Sequence, residues 1–111
     1  MDYQKFVECQ KNNTSVLIVF FTAKWCKPCK TVKPYVLSKL VSSNVSYLCL
    51  DIDECSQIYT RFKAKKQVCG VPVLLAFKSE NISVIPDCSV MGSDKKGIDL
   101  FFDSIQKLTS V

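Results

Sequence analysis

Behind Asp2, apolar groups recur at helical spacing at Tyr3, Phe6 and Val7, in line with Gln10, which predicts a helix capped by Asp2. Asn12-Asn13 breaks it. The run "SVLIVFFT" that follows is continuous and β-branched, as in a strand covered on both faces. From Cys29 to Ser42 the recurrence of Val32, Val36 and Leu40 returns to helix, with Pro34 expected to kink it. "NVSYLCLDI" predicts a second strand, and Asp53 a cap for a helix with Cys55, Ile58, Tyr59 and Phe62 on its buried stripe. "VPVLLAFK" reads as a third strand; "NISVIP" and "CSVMG" read as a shorter, broken fourth with Pro86 at an edge or bulge. Asp94 opens a last helix with Ile98, Phe101, Phe102, Ile105 and Leu108 on one face. Helices between the early strands predict parallel pairing, and the short connection between the late ones a hairpin.

The 111 residues make room for one α/β domain spanning 1–111, and 48% hydrophobic composition suits a compact core. The longest apolar run, Val16 to Phe21, is far short of the roughly 20 residues that cross a bilayer. "MDYQKFVECQ" lacks the form of a secretion signal, so a cytoplasmic protein without membrane association is expected. The net charge of +5 comes from dispersed lysines, which argues against a nucleic-acid partner. Seven cysteines cannot all pair within one chain. Several, Cys49 in "SYLCLDI" above all, sit where a small buried hydrophobe would serve.

The chemistry concentrates in "FFTAKWCKPCKTVKP". A Cys-x-x-Cys pair serves as a metal clamp, a static disulfide or a reversible dithiol. Structural zinc takes about four ligands; there is no His, and Cys49 and Cys55 are wrongly spaced for a second knuckle. Static disulfides are rare in reducing compartments. Cys26 falls between the end of a strand and the start of a helix, at the carboxyl edge of the sheet, where open α/β folds place their sites. The helix N-terminus favours the thiolate, which is the nucleophile, and Lys24 and Lys27 add positive charge. Cys29, one turn on, is spaced to attack a mixed disulfide formed at Cys26. Lys27, Lys30 and Lys33 equally suit a merely solvated helix face, and Trp25 an ordinary anchor at the sheet rim.

"WCKPC" after an apolar strand resembles the thioredoxin family, and "VKPYV", "LDIDEC" and "GVPVLLAFK" resemble further segments of it, from Ser15 to Lys78. The resemblance implies a thioredoxin fold: a central mixed sheet of about four strands flanked by helices, here lacking the N-terminal strand. It implies that Cys26 attacks, Cys29 resolves and the two form the redox disulfide, that Trp25 supplies an apolar wall, and that Val71 precedes a cis Pro72. The Val71 backbone would then pair with an extended substrate, with Gly92 leaving room for it.

Four departures from the family stand out. Lys27 replaces the usual glycine. Phe20 replaces the buried acid that serves as base for Cys29, and Cys49 replaces a facing lysine found in bacterial members. The segment from Phe77 to Gly92 is longer than usual, with an expected effect on recognition at the rim of the site. Cys9, Cys55 and Cys88 read as structural or incidental, whereas Cys69, three residues before Pro72, is expected near the site. The function expected is reduction of protein disulfides and electron transport by a monomer. It calls for a thioredoxin-reductase-like recycling partner or small dithiol, and for no metal, flavin or nucleotide in this chain. The alternative is an interaction or regulatory subunit with little reductase turnover.

Overall fold

A computed structural model describes residues 1–66, 68 and 70–109, without the side chain of Thr109. The elements are α1 (Tyr3–Lys11), β1 (Val16–Thr22), α2 (Lys27–Ser42), β2 (Ser46–Asp51), α3 (Ser56–Ala64), β3 (Val73–Lys78), β4 (Cys88–Met91) and α4 (Lys95–Thr109). Asp2 caps α1, its side chain accepting from the Lys5 N–H at 2.8 Å. The strands form one mixed sheet in the order β2-β1-β3-β4. β1 and β2 are parallel, joined by the α2 crossover, and β3 and β4 are antiparallel.

β3 departs from the parallel arrangement expected of the early strands, running antiparallel to β1 with Val73 opposite Phe21 and Lys78 opposite Val16. After α3 the chain returns to the carboxyl edge of β1 before entering β3 at Val73. The 79–87 connection therefore lies at the far end of the sheet, near the start of β1. Gln10 of α1 donates its Nε2 to the Ser83 carbonyl there, at 2.9 Å. The longer Phe77–Gly92 segment therefore divides: residues 79–87 lie away from the rim, while β4 returns towards the Cys26 end and brings Met91 and Gly92 there. "NISVIP" forms no strand, its place taken by a turn in which Asn81 Nδ2 donates to Asp87 Oδ2 and to the Ile85 carbonyl.

Alternation along β1 divides the core. Val16, Ile18 and Phe20 face α2 and α4, meeting Val32, Val36, Leu40, Ile98, Phe101, Phe102 and Ile105. Val19 and Phe21 face α1 and α3, where Phe6, Phe62 and Phe77 stack edge-on or tilted at centroid distances of 5.8–6.2 Å. Such ring pairs add to the transfer energy of burying them. α2 runs through Pro34 to Ser42 as one helix. Tyr35 donates its hydroxyl to Asp99, and that bond, ahead of Lys39 and Lys95, holds the Asp99 carboxyl below the usual range and ties α2 to α4.

β2 is an edge strand, which corrects the placement of Cys49. Cys49 pairs with Phe20 in register, yet it is exposed and not a core residue. Nothing in "SYLCLDI" marks which strand lacks an outer neighbour, and an edge leaves one flank open to solvent.

Candidate active site

The site forms where β1 ends. Ala23 turns the chain, its carbonyl accepting from the Cys26 N–H at 3.1 Å, and α2 begins at once. Cys26 is the N-cap and Pro28 lies in the first turn, where its missing N–H costs nothing. Cys26 and Cys29 are disulfide-bonded, with Cα atoms 5.3 Å apart. The Cys29 N–H also donates to Cys26 Sγ at 3.2 Å, so the sulfur occupies the place a capping oxygen would take. Charge that develops on that sulfur during exchange meets an aligned donor and the positive end of a helix dipole.

Cys26 and Cys29 are 5% and 1% exposed, in a small cluster with Ala23, Ile52 and Val71. The Val71–Pro72 peptide is cis, and the Val71 carbonyl oxygen lies 3.8 Å from Cys26 Sγ. Among the described residues, no backbone–backbone hydrogen bond engages Val71. The Gly92 N–H donates to the Pro72 carbonyl at 2.9 Å with φ at +95°, a conformation that favours glycine. Val71, Pro72 and Gly92 thus come together on the side of the sheet end where β3 begins and β4 finishes. Met91, half exposed and opposite Val73, joins them; its place in a four-residue strand gave no sequence signal.

Trp25 is 67% exposed, and its indole N–H donates to Asp53 Oδ2 at 2.9 Å. Asp53 was expected to cap α3, but Cys55 holds that position. Asp51 organises the turn instead, its Oδ1 accepting from the Asp53 and Glu54 N–H groups and its carbonyl from the Cys55 N–H. A partner 28 positions away outweighed the local helix-start pattern. Lys24 also departs from its expected part. It is exposed and paired with Glu54 at 3.1 Å, so most of its charge is already answered. Cys69 lies outside the described residues.

A family model described as thioredoxin matches residues 1–100. The chain belongs to the thioredoxin family. It is similar to Thioredoxin H2-1 of Oryza sativa subsp. japonica, 24% identical over 93% of this chain and 70% of that protein. Against Homo sapiens thioredoxin it is 37% identical over 45% of this chain and 49% of the human protein. Among solved structures, Plasmodium falciparum thioredoxin superposes with a TM-score of 0.76 at 19% identity, covering 93% of both chains. Thioredoxin NaTrxh from Nicotiana alata gives 0.76 at 24% identity, covering 97% of this chain and 85% of that one. A thioredoxin-family domain with a disulfide-capable cysteine pair supports thiol–disulfide oxidoreductase chemistry.

Lys27 is exposed at the first position of α2, beside the sulfur of Cys26. Lys27→Gly is expected to raise the Cys26 thiol pKa by less than about one unit, with the effect shrinking as salt is added. Thiolate absorbance followed against pH reads it. An unchanged or lowered pKa would remove Lys27 from the groups that tune the site.

Proposed function

We propose that this chain is a protein-disulfide reductase working through a Cys26/Cys29 dithiol–disulfide cycle. The observation that carries the proposal is the Cys26–Cys29 disulfide at the N-terminus of α2, with the Cys29 N–H on Cys26 Sγ and the Val71 carbonyl beside it. In the cycle the Cys26 thiolate attacks one sulfur of a substrate disulfide, and the other sulfur leaves as a thiolate. Cys29 then attacks Cys26 Sγ, the bond to the substrate breaks, and the Cys26–Cys29 disulfide remains. An extended substrate segment would lie along Val71 and use its backbone groups, with Trp25 and Met91 as exposed apolar shoulders.

Completion of the cycle needs an electron donor, either a thioredoxin-reductase-like enzyme or a small dithiol. It also needs a compartment that keeps the pair reduced, for which the cytoplasm is the natural setting. Insulin reduction driven by dithiothreitol tests the proposal. The parent should accelerate insulin precipitation catalytically. A rate no greater than dithiothreitol alone, from a protein whose disulfide forms and breaks normally, would favour the interaction-subunit reading.

A further inference from the structure

The resolving step leaves one requirement unmet. Cys29 must lose its proton before it can attack, because the thiolate is the nucleophile. Phe20, on the adjoining strand, is fully buried and has no group to accept it. The space that Cys29 does share with polar groups is a cavity of about 310 Å³ between the start of α2 and the ends of β1 and β2. Thr22, Ala23 and Cys29 line it together with Cys49 and Asp51 of β2. The charged groups around it are Lys24 after β1, Lys30 and Lys33 of α2, and Glu54 ahead of α3.

Two carboxylates border this cavity, and their surroundings differ. Glu54 has a side chain 64% exposed and is paired with Lys24. Asp51 is half-buried at the last position of β2, opposite Thr22, and two turn N–H groups fix one of its oxygens. A carboxylate so held keeps its orientation while the second oxygen serves the cavity. The titratable and charged groups facing Asp51 are Lys24, Lys30, Lys33, Cys49, Asp53 and Glu54. Cys49 is exposed on its outer flank. Partial desolvation on the cavity side raises its thiol against a smaller opposing pull from Lys33, so it stays protonated at neutral pH and cannot take the proton.

We propose that Asp51 accepts the Cys29 proton through water in this cavity, a role that rests on the reductase cycle described above. The Cys29 S–H proton passes to the Asp51 carboxylate, and Lys30 and Lys33 favour the thiolate left behind. That thiolate attacks Cys26 Sγ. The Cys26–Cys29 bond forms as the Cys26–substrate bond breaks, and the substrate sulfur leaves with the electron pair. Across the whole cycle two electrons pass from the dithiol to the substrate disulfide. The proton on Asp51 is then available to the departing thiolate.

Quenched-flow on the pre-reduced protein mixed with an excess of a disulfide-bonded peptide separates formation of the mixed disulfide from its decay, with acid quench, alkylation and mass reading each species. The parent's decay rate should change little between about pH 6 and pH 8. Asp51→Asn keeps Oδ1 as the turn acceptor but cannot take a proton. Its decay, relative to formation, should slow at least about tenfold at neutral pH and rise nearly tenfold per pH unit. Decay in Asp51→Asn as fast and as flat as the parent's would overturn the role of Asp51 alone. So would a parent whose own decay already climbs steeply with pH, which needs no variant to observe. A parent that forms no mixed disulfide would overturn the reductase cycle and the Asp51 role with it.

Discussion

Cys26→Ser is expected to bring insulin reduction down to the rate of dithiothreitol alone, while Cys29→Ser stalls with substrate bound. The two sulfurs sit in different surroundings. Cys26 Sγ has a backbone donor at 3.2 Å and the Val71 carbonyl at 3.8 Å, on the side where a substrate strand would lie. Cys29 is 1% exposed, behind it, and lines the Asp51 cavity. An incoming disulfide therefore reaches Cys26, and Cys29 meets only a bond that Cys26 has already made. Losing the first thiol removes the attack; losing the second removes only release. Mass spectrometry of acid-quenched reactions should show a Cys29→Ser–substrate adduct and none with Cys26→Ser. If Cys29→Ser reduced insulin as well as the parent, the assigned roles would be wrong.

Phe20→Asp should destabilise the fold by about 4 to 7 kcal/mol, a sum of the lost aromatic packing and an uncompensated buried carboxyl. Phe20 is fully buried among Val32, Val36, Leu74 and Ile98, and with Pro72 and Gly92 it closes a void too small for water. Removing the ring loosens the floor beneath the Val71–Pro72 segment as well as the core. The sign with pH follows from burial. Desolvation raises the carboxyl's folded-state pKa above its unfolded value, so the deficit shrinks as pH falls through the folded pKa. Urea melts at neutral pH and about pH 5 should show the variant recovering relative to the parent on acidification. Adding Cys49→Lys should recover little. Cys49 is exposed on the edge strand, and an ammonium there turns to solvent. A Phe20→Asp deficit under about 1 kcal/mol would show that the ring is not held as the packing indicates.

Elements whose signal is local were legible in the sequence. The unbroken run of β1, the Val32-Val36-Leu40 stripe of α2 and the Asp2 cap each announce themselves within a few residues. The cysteine pair at a strand–helix junction did the same, and "WCKPC" carried the family. What the sequence hid depends on neighbours far along the chain. Cys49 read as core because its run is apolar, but burial on a strand depends on whether another strand lies outside it. Asp53 read as a cap because it precedes a helix, while its partner is Trp25.

The longer segment from Phe77 to Gly92 is expected to act at the rim, and it divides: β4 brings Met91 and Gly92 to the site, while 79–87 lies away from it. Antiparallel entry of β3 sends 79–87 to the other end of the sheet. The cavity joining Cys29 to Asp51 arises only once β2 is the edge and α2 crosses over β1, an arrangement no local pattern contains.

The most direct measurement on the central claim is the equilibrium of the Cys26–Cys29 pair against graded dithiothreitol or glutathione redox buffers, read by thiol alkylation and mass. A reductase requires one reversible two-electron couple with a midpoint more reducing than about −220 mV. Such a midpoint, reached identically from the oxidised and reduced sides, is the predicted result. A midpoint near about −120 mV, in the range of strong disulfide donors, would contradict it. A pair that stays locked in one state across every buffer would contradict it as well.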